Sequence, residues 1–357
     1  MKAAKNSPQL EAVFMSVNFF KLTALGCQRS HRYRDLAKND VEFVSCRKTG
    51  TARFRKVHAS LMKLFALTEG REMDKIGKNC FSSERRSLVD RDQEAMIARD
   101  TLERYSGSKI ELFRSYLLLT NFGRYVDYYA KSRGVPVYEG AMFKVAHCPE
   151  EDISILDLKI GSPAAALVAD VCAFLPFKSA LLLGMCGGLR RHYRIGDYLV
   201  PVASIRGDGT SDFYFPPEVP SLANFLVQRA ATAVLEDKSI NYHIGITHTT
   251  NKRMWEFNEQ FKDRLKANRA QAIEMECATL FLASYRHKLP LGALLLISDL
   301  PLDRAKTKES SEVVFEKHTK EHVELGVLIL NKTREMLKAH VKGASRGYEG
   351  KAADVTA

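Results

Sequence analysis

Four nearly uninterrupted apolar runs limit what this chain can fold into: Tyr116–Thr120, Ser179–Leu183, Tyr198–Ile205 and Gly292–Ile297. Each is short for a helix and lacks the polar alternation of a strand with one wet face. Both properties predict strands buried on two sides. Segments of helical character separate the runs. The pattern therefore predicts an α/β chain with a largely parallel sheet covered by helices on both faces.

The other elements follow in order. Gln93–Tyr105 is expected as an amphipathic helix using Ala95, Ile97 and Leu102. Asn121-Phe-Gly123 is a turn leading into a helix through Lys131, and Met142–His147 and Ile153–Ile160 are strands. Gly161-Ser162-Pro163 opens a helix, with Ser162 as N-cap and Pro163 in its first position. Gly184 to Gly188 closes the strand before it. Arg206–Pro220, rich in Gly and Pro, is a loop long enough to fold over a ligand. Helix Ser221–Glu236, strand Tyr242–His248 and helix Phe257–Ala267 come next, then helix Cys277–Arg286. Helix Ser311–Ala339 carries the stripe Val323, Val327 and Leu330, and residues from Gly343 onward form a frayed tail. The expected division is a basic N-terminal extension of undefined fold at 1–91, a catalytic domain at 92–342 and a flexible tail at 343–357.

The net charge of +12 is uneven: residues 1–91 hold 19 Lys and Arg against 9 Asp and Glu, and the rest is nearly balanced. A basic segment of this kind suits nucleic acid, anionic lipid or a phosphorylated ligand, and equally a solvated surface. Seven cysteines without a CxxC pair point to a reducing cytoplasm and away from disulfides or a zinc site. No apolar run approaches the ~18 residues of a membrane span, so no membrane partner is expected.

Two segments carry carboxylates where such folds place chemistry, at the carboxyl ends of strands. One is Glu274-Met275-Glu276, the other Ser298-Asp299. Taken singly, each has an ordinary explanation as a first-turn helix acid or a turn. Gly161-Ser162 offers N–H groups and a hydroxyl to phosphate or ribose oxygens. The glycines around Gly187 allow a ligand to approach the backbone. Neither a P-loop nor a dinucleotide fingerprint is present, so no cofactor and no metal are expected.

The order of these motifs, with Ile195-Gly-Asp197, resembles the nucleoside phosphorylase/nucleosidase superfamily. Within it the chain is most similar to the AMP nucleosidases, on Leu118–Gly123, Ile205–Ser211, Tyr214–Pro220, Thr249–Glu256, Ala272–Glu276 and Gly292–Asp299. The resemblance covers about residues 92–340. It implies a three-layer α/β/α fold with a mixed, partly barrel-like central sheet. It also implies a homo-oligomer, a dimer or a trimer of dimers. The implied reaction is hydrolysis of AMP to adenine and ribose 5-phosphate. Asp299 is then the general acid toward purine N7, kept protonated by apolar surroundings, and Ser298 orients it. Glu276 holds the ribose hydroxyls, Met275 packs under the ribose, and Trp255 helps form the base slot. The 5′-phosphate is expected on Arg253, Arg206 or Lys306, in that order, with Lys252 alongside.

The residue that activates water is not identified by the resemblance. Asn121 stands where related nucleosidases carry an acid, and Asp127 is the nearest carboxylate. Ala164 and Met185 also depart from the pattern. Two other readings stay open: a purine nucleoside phosphorylase using inorganic phosphate, and a weakly active nucleotide-binding protein whose N-terminus contacts nucleic acid. A nucleic-acid partner is not expected on the leading reading.

Overall fold

A computed structural model describes the backbone of residues 88–302 and 308–353, and side chains at 91–302 and 312–339. The expected extension therefore lies outside the described residues up to position 87. The boundary expected at residue 91 falls inside the first helix, α1 (Leu88–Ser106). There follow β1 (Tyr116–Thr120), α2 (Gly123–Arg133), β2 (Val137–Glu139), β3 (Lys144–Cys148), β4 (Ile153–Asp157) and α3 (Ser162–Cys172). Next come β5 (Ser179–Gly188), β6 (Tyr198–Gly207), β7 (Ser221–Leu222), α4 (Phe225–Asp237) and β8 (Tyr242–Thr250). The chain continues through α5 (Glu259–Ala267), β9 (Ala272–Glu274), α6 (Cys277–His287), β10 (Leu291–Asp299) and α7 (Lys308–Ala353).

Five strands close on themselves. β10 pairs with β5 and β6, β6 with β8, β8 with β9, and β9 returns to β5. From β5 the sheet continues as an open wing through β1, β4, β3 and β2. Parallel and antiparallel pairs both occur, so the sheet is mixed and partly barrel-like, less uniformly parallel than the apolar runs suggest. Period-two alternation splits the core. Leu118, Leu181 and Leu183 pack with Tyr125, Val227, Val323 and Leu330 on one face. Leu117, Leu119 and Leu182 pack with Leu102, Val168 and Phe281 on the other. Helices thus cover both faces, because neither side of these strands can meet water.

A buried histidine fixes α7 to this core. His322 Nε2 lies 3.0 Å from the Leu294 carbonyl, which only accepts, so Nε2 carries the proton and Nδ1 accepts from Tyr125 Oη at 2.9 Å. Burial lowers its pKa to about 3, consistent with a neutral structural ring.

Several boundaries move. In α1 the inward residues are Ala98 and Leu102, four apart, whereas Ile97 is 55% exposed. The glycines of Gly184–Gly188 extend β5 instead of ending it, because its second half is bordered by β10 and β9. Ser221 begins a short strand, and helix α4 starts at Phe225 behind the Asn224 cap. The tail expected from Gly343 is helical to Ala353. No helix of the described residues is long and apolar enough to cross a membrane.

Candidate active site

The two carboxylates of the Glu-Met-Glu motif have different environments. Glu274, the last residue of β9, turns back to cap α6: its Oε2 accepts the backbone N–H of Glu276 at 2.7 Å and of Cys277 at 2.6 Å. Its Oε1 accepts from Ser204 and Thr247 at 3.3 and 3.2 Å, and from Thr249. Five donors surround one buried carboxylate, as the N-terminus of a helix favours.

Glu276 is 5% exposed and accepts the Gly161 N–H at 2.7 Å. Burial, then the neighbouring charge of Glu274, pushes its pKa up to about 8, while the Gly161 N–H and the nearby Asn121 amide favour the ionised form. Gly161 adopts φ +95°, a conformation open to glycine, and this aims its N–H at the carboxylate. Ser162 does not cap α3. Its hydroxyl donates to the Met275 carbonyl at 2.7 Å. Gly161 and Ser162, expected to meet ligand, instead hold the Met275-Glu276 segment in place.

Asp299 ends β10. The register against β5 slips between Ile297 and Asp299, so that Ile297 lies opposite Cys186 and Asp299 opposite Gly187. A slip of this kind re-aims a side chain. Gly196 and Asp197 bracket the same stretch by hydrogen bonds to the Ile297 backbone, which gives the Ile-Gly-Asp motif a structural purpose. Ser298 donates to Asp299 Oδ1 at 2.6 Å. Gly187 is also paired with Ile273 of β9. One glycine thus stands between the strand that delivers Asp299 and the strand that delivers Glu274. A Cβ there would lie 2.8 Å from Pro301.

These segments enclose a cleft of about 160 Å³. Asp299, Ser298, Glu276 and Met275 line it, together with Asn121, Gly187, Trp255 and Arg253. Trp255 is also a core residue, packed with Leu189, Leu265 and Ile273. Arg253 is 54% exposed and paired with Glu256 at 2.7 Å. Lys252 lines the cleft, and its ammonium has no partner among the described residues.

Arg206 is not among the cleft residues. Its guanidinium donates to the carbonyls of Ser211, Phe215, Pro216 and Val219, to Ser211 Oγ and to Asp212, and its side chain is 9% exposed. It ties down the loop expected as a lid, and the loop packs through Tyr214 against α3 and α6 without lining the cleft. Asp127 pairs with Lys144 and stays outside. Lys306 lies outside the described residues. Sequence reasoning missed Ile160, Ile273 and Glu256 as wall residues, and Glu274 as a helix cap. The short spacing of Glu274 before a helix start was the available signal for the last.

The arrangement brings together two carboxyl groups, one of them deeply buried, apolar walls and the cations Lys252 and Arg253. That set suits cleavage of a bond between a sugar and a base. No cluster of three or more His, Cys, Asp or Glu among the described residues could hold a metal ion.

Comparison with known proteins agrees with this geometry. Residues 115–329 match the family model described as Phosphorylase superfamily. The chain is 28% identical over 279 residues to AMP nucleosidase of Escherichia coli (strain K12), covering 65% of this chain and 58% of that protein. It thus spans little more than half of that relative's length. It is 36% identical to the AMP nucleosidase of Bacteroides thetaiotaomicron VPI-5482 known from a crystal structure, with TM-score 0.61, covering 69% of this chain and 99% of that one. Guanosine phosphorylase of Halorubrum lacusprofundi is 28% identical over 179 residues, 50% of this chain and 73% of that protein. The expected nucleoside phosphorylase-like α/β fold is borne out.

Proposed function

The chain belongs to the phosphorylase superfamily, and on that footing we propose that it hydrolyses the N-glycosidic bond of AMP to adenine and ribose 5-phosphate. The observation that carries the reading is the convergence of two carboxyl groups on one cleft, Asp299 from the end of β10 and Glu276 from the start of α6. Similarity to AMP nucleosidases along nearly the whole of one solved relative supports the substrate.

Cleavage places positive charge on the ribose and negative charge on the departing purine. Asp299, oriented by Ser298, donates its proton to N7. Glu276 accepts from the ribose hydroxyls and stabilises the cationic sugar, with Met275 beneath it. Ile160, Ile273 and Trp255 bound the space for the base. The 5′-phosphate is met by Lys252 and the exposed side of Arg253, in place of Arg206. The two are the Lys and Arg residues of the cleft wall among the described residues, which suits one phosphate group better than the two that a nucleotide plus inorganic phosphate would bring. An exposed apolar row on β6, β7 and β8, Val202, Leu222, Ile244 and Ile246, supports a homo-oligomer, measurable by light scattering.

The test is product analysis. Purified protein is incubated with AMP, adenosine and inosine, with and without phosphate. Adenine and ribose 5-phosphate from AMP in phosphate-free buffer are expected. A 1-phosphate product formed only when phosphate is added would make the enzyme a phosphorylase, and release of adenine from adenosine but not AMP would remove the nucleotide assignment.

A further inference from the structure

Glu256 takes no part in the chemistry above, yet it lines the cleft. It belongs to the single helical turn Trp255–Phe257 that follows β8. Trp255, 4% exposed, anchors this turn in the core with Leu189, Leu265 and Ile273. The Asn258 N–H closes the turn on the Trp255 carbonyl at 2.9 Å. Glu256 therefore stands on a fixed support, next to a wall of the space for the base.

Its two oxygens are used unequally. Oε1 accepts from Arg253 Nη1 at 2.7 Å. Oε2 is shielded from solvent and has no hydrogen-bond partner among the described residues. Two other arginine pairs of this protein engage both carboxylate oxygens, Arg124 on Glu312 and Arg133 on Glu324. A buried acceptor without a donor is costly, and on a cleft wall the missing donor is one that a ligand brings.

AMP has few donors to offer. Its phosphate dianion has none, and Glu276 takes the ribose hydroxyls. What remains is the 6-amino group of adenine. A carbonyl at the same place, as in a 6-oxopurine, only accepts. Facing Oε2, it would set two acceptors against each other. A site built around a ligand's donor rejects an analogue lacking it far more strongly than an apolar pocket rejects a change of size.

We propose that Glu256 selects 6-aminopurines over 6-oxopurines, its Oε2 accepting from the 6-amino group while Arg253 holds Oε1. The inference rests on the nucleotide reading above and names the class of base that the cleft admits. Glu256 and Asp299 share one cleft of about 160 Å³. N7 and the 6-amino group are neighbours on one edge of the purine, so a base that offers N7 to Asp299 presents its amino group on the same side. Arginine only donates, so in Glu256→Gln the amide oxygen stays on Arg253 and the NH2 group replaces Oε2. An acceptor becomes a donor, and the preference shifts toward the 6-oxopurine.

The test is calorimetric. Wild type, Glu256→Gln and Glu256→Ala are titrated with adenine, hypoxanthine and unsubstituted purine, with ribose 5-phosphate present throughout. Wild type is expected to bind adenine about tenfold or more tightly than either other base. The adenine-to-hypoxanthine preference should fall at least about tenfold in Glu256→Gln, and Glu256→Ala should bind adenine and purine alike. A general disturbance of the Arg253 pair would weaken all three bases together and leave these ratios unmoved. A preference in Glu256→Gln within about twofold of wild type overturns the proposal. So does wild type that binds adenine no better than purine, a comparison that needs no substitution. Wild type that shows the adenine preference but releases no adenine from AMP would refute the hydrolytic reading and leave this recognition standing.

Discussion

Glu276→Gln should stabilise the empty protein at alkaline pH while removing activity. Folding raises the pKa of this carboxyl from 4.5 to about 8, chiefly by burial. The native chain therefore binds the proton more tightly than the unfolded chain does. That contribution to stability is complete below about pH 4.5 and is lost as pH rises through about 8. Over this window wild type loses about 1.4 kcal/mol per pH unit at this one site, or about 4 kcal/mol between pH 5 and pH 8. Glutamine cannot ionise, yet it keeps an oxygen for the Gly161 N–H, so the variant lacks the slope. For a domain of this size each kcal/mol moves Tm by about 2–4 °C, so the variant should melt roughly 10 °C above wild type at pH 8 and within about 2 °C of it at pH 5. The assay is thermal unfolding without ligand in buffers from pH 5 to 8.5 at constant ionic strength. A Tm difference that does not change with pH would refute the argument, as would a variant less stable than wild type at pH 8.

Asp299→Asn should lower adenine release from AMP by ~10²–10⁴ with little change in adenine affinity, read by steady-state kinetics and calorimetry. Lys252→Ala should raise KM for AMP about tenfold or more and leave adenosine kinetics nearly unchanged. Arg206→Ala should instead leave the AMP-to-adenosine preference intact but expose the 208–219 loop to limited proteolysis, because six hydrogen bonds to that loop are lost. Gly187→Ala should cost about 1–3 kcal/mol in denaturant titration and lower kcat, since the added methyl meets Pro301 two residues past Asp299.

The sequence made the central strands readable because burial on both sides leaves an apolar run with no alternative use. The strand-end carboxylates were readable for the same reason, as abrupt polar endings of such runs. What it concealed were outcomes of long-range pairing. Gly184–Gly188 has the composition of a loop, and becomes strand because Leu295, Ile297 and Pro301 crowd it from a neighbour over a hundred residues away. Arg206 and Lys252 are both cations near glycine-rich or polar turns. Only the folded loop shows that the first is surrounded by carbonyls and the second is open to the cleft. Ser162 has the composition of a cap, yet the helix already begins at Ser162 with Gly161 in the cap position, and the hydroxyl donates to the Met275 carbonyl 113 residues away. Ile97 faces solvent because a helix with a weak apolar stripe leaves its inward face undetermined until a partner packs against it.

Gly187, hydrogen-bonded between β9 and β10, sets the calibre of the cleft. Two steps across neighbouring strands measure roughly 10 Å, and this separation comes from backbone pairing, which no side-chain substitution can lengthen. The separation of the strand ends that carry Glu274 and Asp299 is therefore quantised. It can change by a whole strand or by a register slip, and not by degrees. Loops may lengthen, and the walls at Ile160 or Trp255 may be recut for a different base.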